Sequence, residues 1–350
     1  MQTSEEHAKF ENRKADHIRL SMLASMQATG GSGFDLIRLE HEALPDLDFS
    51  DITLATKLFD KPIASPLFVS SMTAGHEGSL NLNLIMARAC EKRGWAMGVG
   101  SQRRQLNDPA AADEWRKIRA TCPRTRFFGN IGLAQLVRSE ISEIRKLAES
   151  LSAEAMIVHL NPLQECMQPE GTPQFKGGLK AIEKLVRELG LPVIVKETGC
   201  GFSLSTLKRL SGLGLAAIDV SGFGGTHWGR IEGGRAKVGA PQAAAAETFR
   251  DWGISTVHSL LDAVSARADY DVWASGGVRS GLDAAKALAM GAKLVGLAKP
   301  IIEAALAGEA ALDLKMETLE YELKTALFCT GTSSVAELQE KKLWVAENKS

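Results

Sequence analysis

Cysteine is scarce in this sequence, and its positions do not suggest pairing. The five residues Cys90, Cys122, Cys166, Cys200 and Cys329 are odd in number and form no Cys-x-x-Cys. A disulfide scaffold and a structural zinc site are therefore not expected, and reduced thiols in a cytoplasmic protein are. No apolar run is long enough to span a bilayer, so no membrane insertion is expected. The segment Met1–Asp16 is polar and charged, unlike a signal peptide. Charge of one sign is also missing: 41 Lys and Arg face 42 Asp and Glu, a net charge of −1. Without a broad basic surface, nucleic acid is not an expected partner, although a local phosphate site needs only a few cations.

What is present is alternation. From Pro66 onward, short apolar runs separate longer amphipathic stretches. Eight such runs occur: Leu67–Ser71, Trp95–Val99, Phe127–Ile131, Met156–Leu160, Val193–Lys196, Ala217–Val220, Val272–Ala274 and Leu294–Leu297. They lack clean polar alternation, as strands buried on both faces do. Helical spacing lies between them over Asn81–Arg93, Ser142–Ser150, Gly178–Leu189 and Leu282–Met290. This predicts an α/β fold, a parallel (β/α)8 TIM barrel with an N-terminal extension and C-terminal helices. One unit is expected, with 1–65 as the extension, 66–300 as the barrel and 301–350 as the C-terminal helices. The latter include Ile301–Leu306 and a helix over Leu314–Leu327 with apolar positions Met316, Leu319, Leu323 and Leu327. An open doubly wound sheet would more often carry Gly-x-Gly-x-x-Gly after its first strand, where this chain has Met72-Thr73-Ala74-Gly75-His76. The long Gly222–Asp271 stretch, with its Gly-rich runs, reads as active-site loop material, a lid or a surface excursion.

In such a barrel, function sits at the C-terminal ends of the strands. Ser275-Gly276-Gly277-Val278-Arg279-Ser280-Gly281 follows strand 7. Its glycines admit a phosphate to the backbone, the next helix would add its N-terminal dipole, and Arg279 would add a bidentate contact; a plain tight turn is the alternative. Lys196 ends strand 5, where a buried lysine needs an anionic partner or a depressed pKa. It suits a Schiff base or an anionic cofactor, unless it faces solvent with Glu197. Gln164 and Glu165 follow strand 4 and carry hard oxygens suited to Mg²⁺, or form a solvated loop. His159 at the same strand end would donate to an anion or be satisfied by backbone. Arg13, Lys14 and His17 form a basic cluster that closes over a diphosphate or is a solvated helix face.

Taken in order, Arg13-Lys14-Ala15-Asp16-His17, Met72-Thr73-Ala74-Gly75, Gly100-Ser101-Gln102-Arg103, Gly129-Asn130-Ile131-Gly132, His159–Glu165, Val195-Lys196-Glu197, Ser221–Thr226 and Ser275–Arg279 resemble the type 2 isopentenyl diphosphate isomerases, a flavin-dependent barrel family. The resemblance runs from Asn12 to about Thr332, and the His159–Glu165 run is its most specific part. It implies flavin contacts at Met72, Thr73, Ala74, Ser101, Asn130, Lys196, Ser221 and Thr226. It implies an FMN phosphate cradle at Gly277, Val278, Arg279, Ala298 and Lys299. Substrate contacts are implied at Arg13, Lys14, Ser101, Gln102, Arg103, His159, Asn161 and Gln164, and an Mg²⁺ ligand at Glu165. Lys196, Gln164 and His159 are the implied catalytic residues. The chain departs from the family at Ala74, often glycine, and at Asp16, often glutamate; these bear on substrate preference and loop position.

The implied reaction interconverts isopentenyl diphosphate and dimethylallyl diphosphate by allylic proton transfer, in isoprenoid biosynthesis. FMN is active in its reduced form, NADPH serves as reductant, and Lys196 lies near flavin N1. A small-molecule diphosphate is the implied substrate, and a homo-oligomer, tetramer or octamer, the implied assembly. One alternative is an FMN-dependent 2-hydroxy-acid oxidoreductase, which needs a histidine base where Ala274-Ser275-Gly276-Gly277 stands here. The other is a non-catalytic flavin or prenyl-phosphate binding protein.

Overall fold

Each of the eight apolar runs forms a strand, because its side chains are buried towards both the barrel interior and the surrounding helices. In the computed structural model, which describes residues 16–72, 80–108 and 110–347, these are β1 (Leu67–Val69), β2 (Ala96–Gly98), β3 (Arg126–Gly132), β4 (Ala155–Leu160), β5 (Val193–Glu197), β6 (Ala217–Asp219), β7 (Asp271–Ala274) and β8 (Leu294–Leu297). All neighbours are parallel, and β8 pairs with β1 to close the barrel. Phe68, Phe128, Ile194, Trp273 and Leu294 fill the interior. The Trp273 ring lies 5.3 Å from Phe68 and 5.4 Å from Phe128, centroid to centroid. Fully burying such side chains contributes about 1.5–3 kcal/mol each, so the lumen is a core and not a channel. A hairpin of Thr56–Leu58 and Lys61–Ile63 adds Leu58 and Ile63 to this interior cluster, at the strands' N-terminal ends. The opposite end is thereby left for ligands.

The helices follow the expected spacing: α1 (Leu80–Arg93), α2 (Ala111–Thr121), α3 (Ile141–Leu151), α4 (Pro162–Met167) and α5 (Gly178–Glu188) lie between β1 and β5. Gly222–Asp271 does not behave as the loop expected of it. It contains three helices, α6 (Trp228–Arg235), α7 (Pro241–Thr248) and α8 (Thr256–Ser265). Its glycines serve close packing: a Cβ at Gly233 would collide with Ala246, and one at Gly229 would meet Leu163 at 3.1 Å. Caps supply the rest, with His227 accepting from the Arg230 N–H at 3.1 Å and Ser255 from the His258 N–H at 3.3 Å. Beyond them come α9 (Gly281–Ala289), α10 (Lys299–Ala307) and α11 (Glu309–Cys329), the last burying Met316, Leu319, Leu323 and Leu327 as its spacing predicts. Near the two ends of the chain, Ile37–Leu39 and Trp344–Ala346 pair antiparallel, which the sequence reading did not anticipate.

Candidate active site

Two adjoining cavities open at the C-terminal ends of the strands and share Ser71, Met72, Lys196, Thr198, His17 and Trp228 as common wall. The first, about 870 Å³, is lined by Ser221, Thr226, Gly277, Val278, Arg279, Ala298 and Lys299 among others. The second, about 720 Å³, is lined by Ser101, Arg103, Asn130, His159, Asn161, Gln164 and Glu165. Most of the expected residues that are described thus converge on one mouth. Ser101 and Asn130, implied as flavin contacts, line the second cavity. Arg13, Lys14, Thr73 and Ala74 lie outside the described residues.

Gly276 (φ 94°) and Gly277 (φ 72°) sit in the left-handed region, and a Cβ on Gly277 would stand 2.6 Å from the Gly224 carbonyl oxygen. The loops after β6 and β7 therefore pack backbone to backbone, a fit that only glycine permits. The start of α9 is already satisfied: Asp283 Oδ2 accepts from the Arg279 N–H at 3.0 Å and the Ser280 N–H at 3.2 Å, and Glu322 accepts from the Gly281 N–H at 2.6 Å. By contrast α10 begins at Ala298 and Lys299, on the cavity wall, with no side-chain cap. Its start lies on the cavity wall with the positive end of the helix dipole unopposed by a side-chain cap. Arg279 lines the cavity and donates to Gln27 Oε1 at 2.9 Å; burial lowers its pKa. Lys299 donates to the Met22 carbonyl at 3.2 Å. Ser70 and Ser71 contribute buried hydroxyls with no hydrogen-bond partner among the described residues.

Lys196 has the anionic partner its burial requires. Its Nζ lies 2.8 Å from Asp219 Oδ2 and 2.8 Å from Ser275 Oγ, and Ser275 Oγ donates to Asp219 Oδ1 at 2.7 Å. Neighbouring Glu197 is also buried and holds the following turn, accepting from the N–H groups of Thr198 at 2.6 Å and Cys200 at 2.5 Å. Burial pushes its carboxyl up to about 7, against the pull of those N–H groups and of Lys196.

In the second cavity Asn130 Nδ2 donates to the Val99 carbonyl at 3.0 Å, which turns Oδ1 towards His159 Nδ1 at 2.8 Å. With the amide so oriented, Nδ1 carries the proton. His159 is thus held by the Asn130 side chain. Glu165 is 5% exposed; Oε1 accepts from Asn161 Nδ2 at 3.1 Å and Oε2 from the Thr172 N–H at 2.5 Å. Asn161 Oδ1 is buried without a partner among the described residues. Gln102 departs from expectation. Its side chain lines neither cavity, is buried, accepts from the Asn130 N–H at 2.9 Å and donates to the Leu147 carbonyl at 2.9 Å. Both ends of the amide are committed inside the protein, so its role is to hold Asn130.

Above the mouth, sequence reasoning missed Glu232 and Trp228. Glu232 is fully buried; its Oε1 meets His17 Nε2 at 2.8 Å and accepts from Gln164 Nε2 at 2.9 Å, and its Oε2 meets Arg235 at 2.6 Å. Burial alone would raise this carboxyl, but the His17 bond and charge, with Gln164 and Arg235, hold it at about 2. Trp228 packs edge-on to His17 at 5.2 Å. The lone polar pattern of α6 offered no signal for this; the nearest was His17 in its basic cluster.

Residues 153–345 match the FMN-dependent dehydrogenase family. Curated relatives include the isopentenyl-diphosphate delta-isomerase of Bdellovibrio bacteriovorus, 53% identical over 343 residues, covering 97% of this chain and 99% of the relative. That of Legionella pneumophila (strain Philadelphia 1) is 52% identical over 336 residues, covering 96% and 98%. That of Halobacterium salinarum is 41% identical over 343 residues, covering 97% and 94%. Among solved structures, a mandelate oxidase with (S)-mandelic acid aligns at TM-score 0.65 and 18% identity over 99% of this chain and 97% of that one, a likeness of fold alone. The chain belongs to the FMN-dependent dehydrogenase family and, within that barrel fold, to the isopentenyl-diphosphate delta-isomerases.

Proposed function

We propose that this chain interconverts isopentenyl diphosphate and dimethylallyl diphosphate, with FMN in the first cavity and the Mg²⁺-bound diphosphate in the second. The observation that carries the reading is the shared wall: Lys196 borders both cavities, so one ammonium reaches a ring in the first and a substrate in the second. The first cavity fits FMN. Gly277, the uncapped start of α10, Arg279 and Lys299 suit its phosphate, and the orphaned Ser70 and Ser71 hydroxyls suit a polar ring edge. The second fits Mg²⁺ of the kind that keeps its waters and binds substrate phosphate. No group of three or more His, Cys, Asp or Glu side chains suited to a metal occurs among the described residues. Glu165 would be the one carboxylate ligand, and the unpartnered Asn161 Oδ1 would accept from a metal-bound water.

The isomerisation moves a double bond without net electron transfer: one carbon gains a proton and another loses one. Reduced FMN supplies acid–base chemistry at its N5 region. The chain holds the reactants in register. Lys196 neutralises charge on the ring side, while Arg103, with Arg13 and Lys14, neutralises the diphosphate. His159, fixed by Asn130, donates towards the substrate, and Trp228 with His17 closes the mouth against water. NADPH primes the flavin, and the assembly is a homo-oligomer, tetramer or octamer, in the cytoplasm. No helix among the described residues is long and apolar enough to cross a membrane. Lys196→Ala should lower kcat of the reduced, FMN-loaded enzyme by about 100- to 1,000-fold, the scale for loss of one electrostatic stabiliser. Near-wild-type turnover would remove Lys196 from the mechanism.

A further inference from the structure

Lys196, Asp219 and Ser275 form a closed unit of which the proposed reaction uses only the lysine. Lys196 stands opposite Asp219 across β5 and β6, Asp219 stands opposite Trp273 across β6 and β7, and Ser275 follows the end of β7. The three are 5%, 1% and 2% exposed. The Asp219 carboxylate spends one oxygen on Lys196 at 2.8 Å and the other on Ser275 at 2.7 Å, and Ser275 Oγ also accepts from Lys196 at 2.8 Å. An ammonium has three protons to donate. Two are taken inside this triangle, and the third is left for the cavities that Lys196 lines.

Burial without a counter-charge drives a lysine towards its neutral form, and a buried carboxylate without a partner is equally unfavourable. We propose that Asp219 is a positioning residue for Lys196: with Ser275 it keeps the ammonium charged and fixes its direction, so that the charge presented to reduced FMN is set by the three residues together. The inference rests on the reading of the first cavity as the FMN site. Reduction of FMN takes up two electrons from the reductant and one proton, and leaves one negative charge on the ring. An ammonium facing that charge favours the reduced state, and losing it disfavours that state.

Other titratable groups share the cavities with Lys196, namely His17, Arg103, His159, Glu165, Arg279 and Lys299, and Glu197 is its neighbour on β5. Comparisons are therefore made at one fixed pH. The test is the midpoint potential of bound FMN, titrated anaerobically with dithionite against a reference dye. Asp219→Asn should lower the reduced-to-oxidised ratio at a given potential by about tenfold, about 30 mV for a two-electron couple. Lys196→Ala should shift it in the same direction, and Ser275→Ala by less. In the Lys196→Ala background, Asp219 is left as an unpaired carboxylate beside the ring, so adding Asp219→Asn should raise the potential. This reversal of sign is what a merely structural aspartate would not produce. A wild-type potential in Asp219→Asn with FMN bound, or the same direction of shift in both backgrounds, overturns the proposal. If Asp219→Asn does not fold, Ser275→Ala decides: a lowered potential supports the unit and an unchanged one refutes it. Failure of the wild-type protein to bind FMN would overturn the cofactor reading, and this inference with it.

Discussion

Asn161 holds Glu165 in place through Oε1 and leaves its own Oδ1 unspent, so its loss should be felt through the metal. Asn161→Ala is expected to raise the Mg²⁺ concentration needed for half-maximal activity by roughly 10- to 100-fold, the range for groups that orient a ligand. An unchanged Mg²⁺ titration would contradict that role. Glu197 gives a second prediction. Its carboxyl is raised to about 7, so between the ordinary carboxylate range and pH 7 the folded chain holds a proton that the unfolded chain has released. Stability contributed by that proton is present at low pH and is lost as pH rises through about 7. Glu197→Gln should therefore show a smaller fall in thermal midpoint between pH 5 and pH 8 than the wild type; an identical fall would refute the assignment. At this scale the sequence exposed Lys196 and His159 because a polar residue at the end of an apolar run stands out, and Glu165 because it follows strand 4 in a polar loop. It did not expose the partnership of Lys196 with Asp219, 23 positions away, or of Gln164 with Glu232, 68 positions away. Those pairings exist only once strands and helices are placed side by side. Gln102 misled for a related reason: an amide in a polar run reads the same whether it faces a ligand or bridges two backbone groups.

The strands were legible because burial on both faces leaves an unbroken apolar run, and their C-terminal ends located the mouth. The helices between β6 and β7 were not. In α6, Gly229, Gly233 and Gly234 lower helix propensity, and tertiary packing overrides it. The same glycines let α6 approach α4 and α7 closely, which brings Glu232 to Gln164. Gly233→Val should therefore disturb the element that roofs the site. Overpacking against Ala246 is expected to cost about 1–3 kcal/mol, read as a lowered thermal midpoint with weakened substrate binding. A variant with wild-type stability would show that the two helices can separate without penalty. The capped start of α9 and the uncapped start of α10 teach the same lesson. Both follow strands that end at the first cavity, and only side-chain contacts distinguish the capped start from the uncapped one.

For the molecule as a whole, the barrel fills its interior with aromatic rings and leaves several orphaned polar atoms at the C-terminal ends of its strands. The Ser70 and Ser71 hydroxyls and Asn161 Oδ1 are buried there without partners among the described residues. A cofactor that satisfies such groups should stabilise the fold. FMN at about 100 times its Kd is expected to add about 2.7 kcal/mol to unfolding stability by mass action, visible as a raised thermal midpoint. No shift with FMN would mean that the first cavity is not its site. The resemblance read from ordered motifs and the 53% identity to a curated isomerase converge on one reaction, whereas likeness to mandelate oxidase at 18% identity carries fold only. The most direct test is therefore chemical: purified protein with FMN, NADPH, Mg²⁺ and isopentenyl diphosphate, without oxygen, followed by NMR. Dimethylallyl diphosphate should appear only when FMN is reduced and Mg²⁺ is present. Bound, reduced FMN with Mg²⁺ and no such product would contradict the account.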